Sequence, residues 1–197
     1  MRGLLFSIFF ILFSIRIFAS SILIPMDAKG QKNHLKAYGI TYWVLSKQQK
    51  VQWLLNYRGG SFLLPDGESI RQECQIRGVS YEILSDAQTQ SILTEIGSPS
   101  QNQDAVILEK APRIAVYSPK ENPPWDDAVT MVLTYAEIPY TTIYDEEVLG
   151  DKLVMYDWLH LHHEDFTGQY GKFYGAYRAA PWYIDGKQKA EELATKL

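Results

Sequence analysis

Two stretches of this chain follow one order of strand, turn, helix and strand, and that order constrains the fold more than any single motif. The first opens with the apolar triplet Ile22-Leu23-Ile24 and turns at Pro25-Met26-Asp27. A helical pattern follows over 31–47, with Leu35, Tyr38, Tyr42 and Leu45 at helical spacing. A strand over 51–57 then runs into Arg58-Gly59-Gly60. The second stretch opens with Arg113-Ile114-Ala115-Val116-Tyr117, turns at Ser118-Pro119 and enters a helix near Trp125. Val129, Val132, Leu133 and Ala136 make that helix's apolar face, and Pro139 ends it. Further strands are predicted over 140–144 and 156–162. Strand alternating with helix implies right-handed crossovers, so the expected class is α/β with an open, mostly parallel sheet and flanking helices.

Between the halves, 79–84 reads as a strand, and Ser85 is the expected N-cap of a helix reaching Ile96. Residues 97–104 are polar and turn-rich, which predicts a boundary or surface loop. The expected organisation is therefore a first α/β half over 22–96, a linker over 97–112 and a second half over 113–197. The last stretch, 187–197, reads as an amphipathic helix with Ala190, Leu193 and Leu197 on one face and no stop signal. It suggests the first portion of something longer.

The segment before the first strand has the form of an export signal. Arg2 precedes an apolar run of 13 residues from Gly3 to Ile15, and Ala19 and Ser21 are small residues two apart. A signal peptide over 1–21, cleaved after Ser21, implies a periplasmic or secreted protein with no stable membrane insertion. The alternative is an uncleaved anchor, against which Arg16 would sit mid-membrane at a cost of about 2.5 kcal/mol. Cleavage would leave 17 basic and 23 acidic residues. That net acidity, without a basic patch, argues against a nucleic-acid partner. The single cysteine, Cys74, excludes a disulfide-stapled scaffold and reads as a small buried hydrophobe.

The densest chemistry is the string His160-Leu161-His162-His163-Glu164-Asp165. It closes a predicted strand, and the carboxyl end of a parallel strand is where open α/β sheets bind ligands. Strand alternation sets Trp158, His160 and His162 on one face and Leu159, Leu161 and His163 on the other. The candidate catalytic residues are His162, His163, Glu164 and Asp165, with His160 and Tyr170 as ligand contacts. Imidazoles beside carboxylates suit a divalent metal or an acid/base pair, and a hydrogen-bonded strand end is the structural alternative. Asp126 and Asp127 open the helix after the 113–117 strand, where they complement the helix dipole or help hold a cation or sugar. Arg58, before Gly59-Gly60-Ser61, is a candidate contact for an anionic ligand. Tyr170, Phe173, Tyr174, Tyr177, Trp182 and Tyr183 form an aromatic cluster. It reads as a core stripe, or as a platform for a glycan or peptide.

Several of these runs also carry a family resemblance. Ile24-Pro25-Met26-Asp27, the run from Gln31 to Ile40, the run from Leu54 to Phe62, Trp125-Asp126-Asp127-Ala128, and the string from Trp158 to Phe173 together resemble a family of exported bacterial proteins. Its members are often catalogued as "asparagine synthetase B". The resemblance covers the whole chain after the signal, and the string around the histidines is its most specific part. It implies a flavodoxin-like, class I glutamine amidotransferase-like sheet, incomplete at the C-terminus. Members run on to a nucleophile turn bearing a Cys, which this chain does not reach. Glutamine-dependent asparagine synthetases carry a Cys at the mature N-terminus and a Ser-Gly-Gly-x-Asp-Ser loop. Here Arg2 follows Met1 and no such loop occurs, so asparagine synthesis is not expected of this chain. What is expected is a hydrolytic or ligand-binding step on an envelope or sugar-derived substrate. The rivals are a non-catalytic glycan- or peptide-binding module and a truncated product without activity of its own.

Overall fold

Ile22, Leu23 and Ile24 have no polar residue between them, so a strand made of them has to be covered on both faces. The computed structural model, which describes residues 20–118, 128–161 and 175–195, shows how this is achieved. Strand β1 (Ser20–Ile24) lies inside a five-stranded sheet with β2 (Val51–Leu55), β3 (Ser61–Pro65), β4 (Glu82–Ser85) and β5 (Asp104–Leu108), in the order β4-β1-β3-β2-β5. Helices α1 (His34–Ser46) and α2 (Glu68–Ile76) cover one face. There Ile22, Ile24, Phe62 and Leu64 pack with Ala37, Ile40, Val44, Ile70 and Cys74. Helix α3 (Asp86–Ile96) covers the other, where Leu23, Leu54, Leu63 and Leu84 meet Ile96.

Every neighbouring pair in this sheet is antiparallel, which corrects the expectation of a largely parallel sheet through the first half. β1 and β2 do run in the same direction, with α1 between them in sequence. However, β3 folds back from β2 as a hairpin and inserts between the two. With α2 and β4 this makes the split β-α-β-β-α-β arrangement of the ferredoxin-like type, strand order 4-1-3-2. β5 extends it on the β2 edge, so part of the stretch expected as a linker over 97–112 is a strand. β3, α2 and β5 had no counterpart in the sequence reading.

The termini of the helices follow local chemistry. Ser85 caps α3 as expected, in a capping box with Gln88 of the kind that contributes about 1 kcal/mol. Asn33 caps α1, its side chain accepting from the Lys36 N–H. Just before it, Gln31 is buried and bridges three segments. Its amide donates to the Ser80 and Pro25 carbonyls and accepts from the N–H groups of Ser80, Lys32 and Asn33. The apolar face expected for α1 is shifted. The buried side is Ala37, Gly39, Ile40, Thr41, Val44 and Leu45, while Leu35 and Tyr38 are exposed. Gly39 takes one inward position because another helix packs closely there.

That helix belongs to the second unit. β6 (Ile114–Tyr117), α4 (Ala128–Ala136), β7 (Thr141–Ile143), α5 (Asp145–Leu149), a 3-10 turn (Lys152–Met155) and β8 (Trp158–Leu161) follow in order. Here the sheet is parallel, as expected, in the order β7-β6-β8. Ile114 and Val116 pack on Leu133 of α4 and on Tyr42 of α1. The Tyr42 hydroxyl donates to the Pro112 carbonyl across the junction. Asp157 ties the amino ends of β6 and β8, accepting from the Arg113 guanidinium and N–H and from Lys110. Those donors, Arg113 foremost, hold its carboxyl far below the usual range. Helix α6 (Pro181–Ala194) closes the described chain and has no buried residue. Among the described residues, no helix is long and apolar enough to cross a membrane.

Candidate functional site

The chain leaves β6, crosses by α4 to β7 on one side, then returns past β6 to β8 on the other. The order of strands therefore reverses at β6, and the crevice at the carboxyl ends of β6 and β8 is a topological switch point, the place where open α/β sheets bind ligands.

His160 is the expected site residue that falls there. It is half-buried, one residue before the end of β8, and paired in register with Val116, while Leu161 pairs with Tyr117. Val116 packs on α4, and alternation puts His160 on that same side of the sheet. Tyr117 is at the end of β6, on the opposite side. Its hydroxyl donates to the Asp145 carboxylate over 2.5 Å, and its ring lies 5.2 Å from that of Tyr144. Asp145 is the first residue of α5, where its charge complements the helix dipole. Ser118, also buried, continues the edge by donating its N–H to the Ile143 carbonyl.

The carboxyl edge of this sheet thus carries an imidazole on one face and a phenol–carboxylate pair on the other. The imidazole can donate or accept a hydrogen bond through its ring nitrogens. The phenol held by a carboxylate is an oriented hydrogen-bonding group. The sequence reading missed the Tyr117–Asp145 pair. Its only trace there is an aromatic residue closing one strand and an acid opening the helix after the next.

His162, His163, Glu164, Asp165, Tyr170, Asp126 and Asp127 lie outside the described residues. Among the described residues no three His, Cys, Asp or Glu side chains come together as a metal-binding set. Arg58 lies on the other sheet. It sits in the β2–β3 turn with φ of 45°, and its guanidinium donates to Asp27 over 2.8 Å and to both oxygens of Glu82. Its charge is engaged by two carboxylates and serves to join the β1–α1 loop, the hairpin turn and β4. Cys74 is fully buried, and burial pushes its thiol up to about 11, so it carries no nucleophilic thiolate near neutral pH.

Comparison with protein-family models finds no match, and neither the curated proteins nor the solved structures yield one.

Proposed function

We propose that this chain is an exported, amidotransferase-like α/β protein whose parallel sheet presents a ligand at the carboxyl ends of β6 and β8. The observation that carries this reading is the strand order β7-β6-β8 in a parallel sheet, with His160 at the reversal. It is the order of the first three strands of a flavodoxin-like sheet, in which the ligand sits at that same crevice. The family resemblance supports the same reading, as does the apolar leader before β1. His162 or His163 would move the proton or hold a metal, with Glu164 or Asp165 orienting it. The substrate class is an envelope or sugar-derived molecule, and asparagine synthesis is not part of the proposal.

The test replaces both His162 and His163 by Ala and titrates the protein with Zn²⁺ alone and, separately, with soluble peptidoglycan fragments. Loss of heat on titration with thermal stability nearly unchanged supports the reading. Unchanged titration with a large loss of stability would show that the histidines only finish the strand.

A second reading has one observation in its favour. Tyr177 and Trp182 are 47% and 52% exposed, with ring centroids 6.0 Å apart. Exposed neighbouring rings suit stacking on a sugar. Binding of the peptidoglycan fragments that survives the double histidine change but is lost in Trp182→Ala would favour this non-catalytic module.

A further inference from the structure

The junction between the two units contains a residue whose backbone and side chain point to one purpose. α4 ends in a Schellman motif: the Glu137 N–H donates to the Thr134 carbonyl and the Ile138 N–H to the Leu133 carbonyl. Ile138 and Leu133 make the accompanying apolar contact, and Pro139 follows. The residue after the last helical turn of such a motif adopts the left-handed conformation and is usually glycine, because a side chain is strained there. Here it is Glu137, with φ of 59°. A non-glycine residue persists there when the surrounding structure holds it in place.

Glu137 shares its charge between two cations of the other unit. One Glu137 carboxylate oxygen accepts from Lys36 Nζ of α1 over 2.5 Å, and the other is 3.3 Å from the guanidinium of Arg77 at the end of α2. The Arg77 side chain is only 9% exposed, and beyond Glu137 its ionic partner is Glu73, one helical turn back. Lys36 also lies over the ring of Tyr135, the residue two before Glu137. The groups facing Glu137 are therefore Lys36 from α1, Arg77 and Glu73 from α2, and Tyr135 from its own helix. Two positive charges at the carboxyl end of α4 also complement its dipole.

We propose that Glu137 is an acid-releasable pin that fastens the parallel-sheet unit to the antiparallel one. Lys36 hydrogen bonding, foremost, and the Arg77 charge hold its carboxyl below the ordinary carboxylate range, against partial burial. The attachment is therefore complete at neutral pH and is lost as pH falls through that lowered value. Among the described residues, protonation leaves Arg77 paired with Glu73 and removes the ionic tie that α4, the crossover that sets β6 against β7, makes to α1 and α2.

Hydrogen exchange on the full chain, read by mass spectrometry at pH 7, tests this. In Glu137→Gln, exchange in α4 and in the α1 turn around Lys36 should quicken several-fold, with β1 and β3 unchanged. Glu137→Gly, which relieves the backbone but lacks the charge, should quicken α4 as well. As pH falls through the lowered carboxyl value, from pH 4 toward pH 2.5 and corrected for the intrinsic rate, exchange in α4 of the native protein should rise toward that of Glu137→Gln at pH 7, ahead of β1 and β3. Wild-type protection of α4 in either variant would overturn the proposal. So would loss of protection in β1 and β3 in parallel with α4, since that is general destabilisation rather than uncoupling.

Discussion

The carbonyl oxygen of Ala136 lies directly against the α-carbon of Gly39, where a Cβ would stand 1.8 Å from it. A glycine inside a helix costs about 1 kcal/mol relative to alanine. In α1 that cost is offset by the close approach of α4, which no side chain at this position would permit.

Gly39→Ala should therefore destabilise the protein despite alanine's better helix propensity. Overpacking of this kind costs about 1–3 kcal/mol, because backbone rather than a side chain must yield. Equilibrium urea unfolding measures it. A variant as stable as the wild type, or more so, would show that the two helices can separate at no cost.

The Asp27–Arg58 pair predicts part of the acid response. The Arg58 hydrogen bond, then the Gly30 and Lys29 N–H groups, hold the Asp27 carboxyl below its ordinary value. A lowered carboxyl contributes stability that is present above the unfolded value and lost as pH falls through the folded one. Asp27→Asn should lower the melting temperature at pH 7 and flatten its fall between pH 5 and pH 2. An unaltered acid profile would show that the pair is too solvated to matter.

The amino end of β1 bears on the leader. Ser20 pairs with Ser85, and its hydroxyl donates to Asp66, while Ser21 pairs with Leu84 and Pro65. Cleavage after Ser21 would remove both serines from the sheet. A protein beginning at Ser20 should therefore melt higher than one beginning at Ile22, by the loss of these bonds and of two ladder residues. Equal melting temperatures would mean that β1 is held by Ile22, Leu23 and Ile24 alone.

How much of this was legible before folding varies by element, for physical reasons. Ser85 and Gln88 announce α3 because a capping box is local chemistry between residues three apart. The parallel second unit was readable because its strands and helices alternate with their turn signals intact. α2 was not, because only Ile70 and Cys74 of its nine residues face inward, and the rest is polar apart from the exposed Ile76. β3 was hidden by its turn: Arg58-Gly59-Gly60 reads as a loop for an anion, whereas it is a hairpin with Gly59 held at φ of 81° against the Met26 carbonyl. Of the candidate site, His160 at the end of a strand was legible from periodicity alone. Tyr117 and Asp145 are 28 residues apart, and only the pairing of β6 with β7 brings them together.

The sequence by itself determined which segments are strands and helices in most of the chain, since periodicity, caps and turns act over a few residues. It also determined that β1 must be buried on both faces. Tertiary structure alone decided how two stretches of identical order become different sheets. β6 and β7 lie side by side, whereas β1 and β2 are parted by β3, which folds back from β2 as a hairpin and pairs with both. Tertiary structure also decided the close crossing at Gly39 and the double pairing of Glu137. Each depends on residues far apart in the chain, Gly39 with Ala136 and Lys36 and Arg77 with Glu137, meeting across a helix interface, which no local pattern encodes.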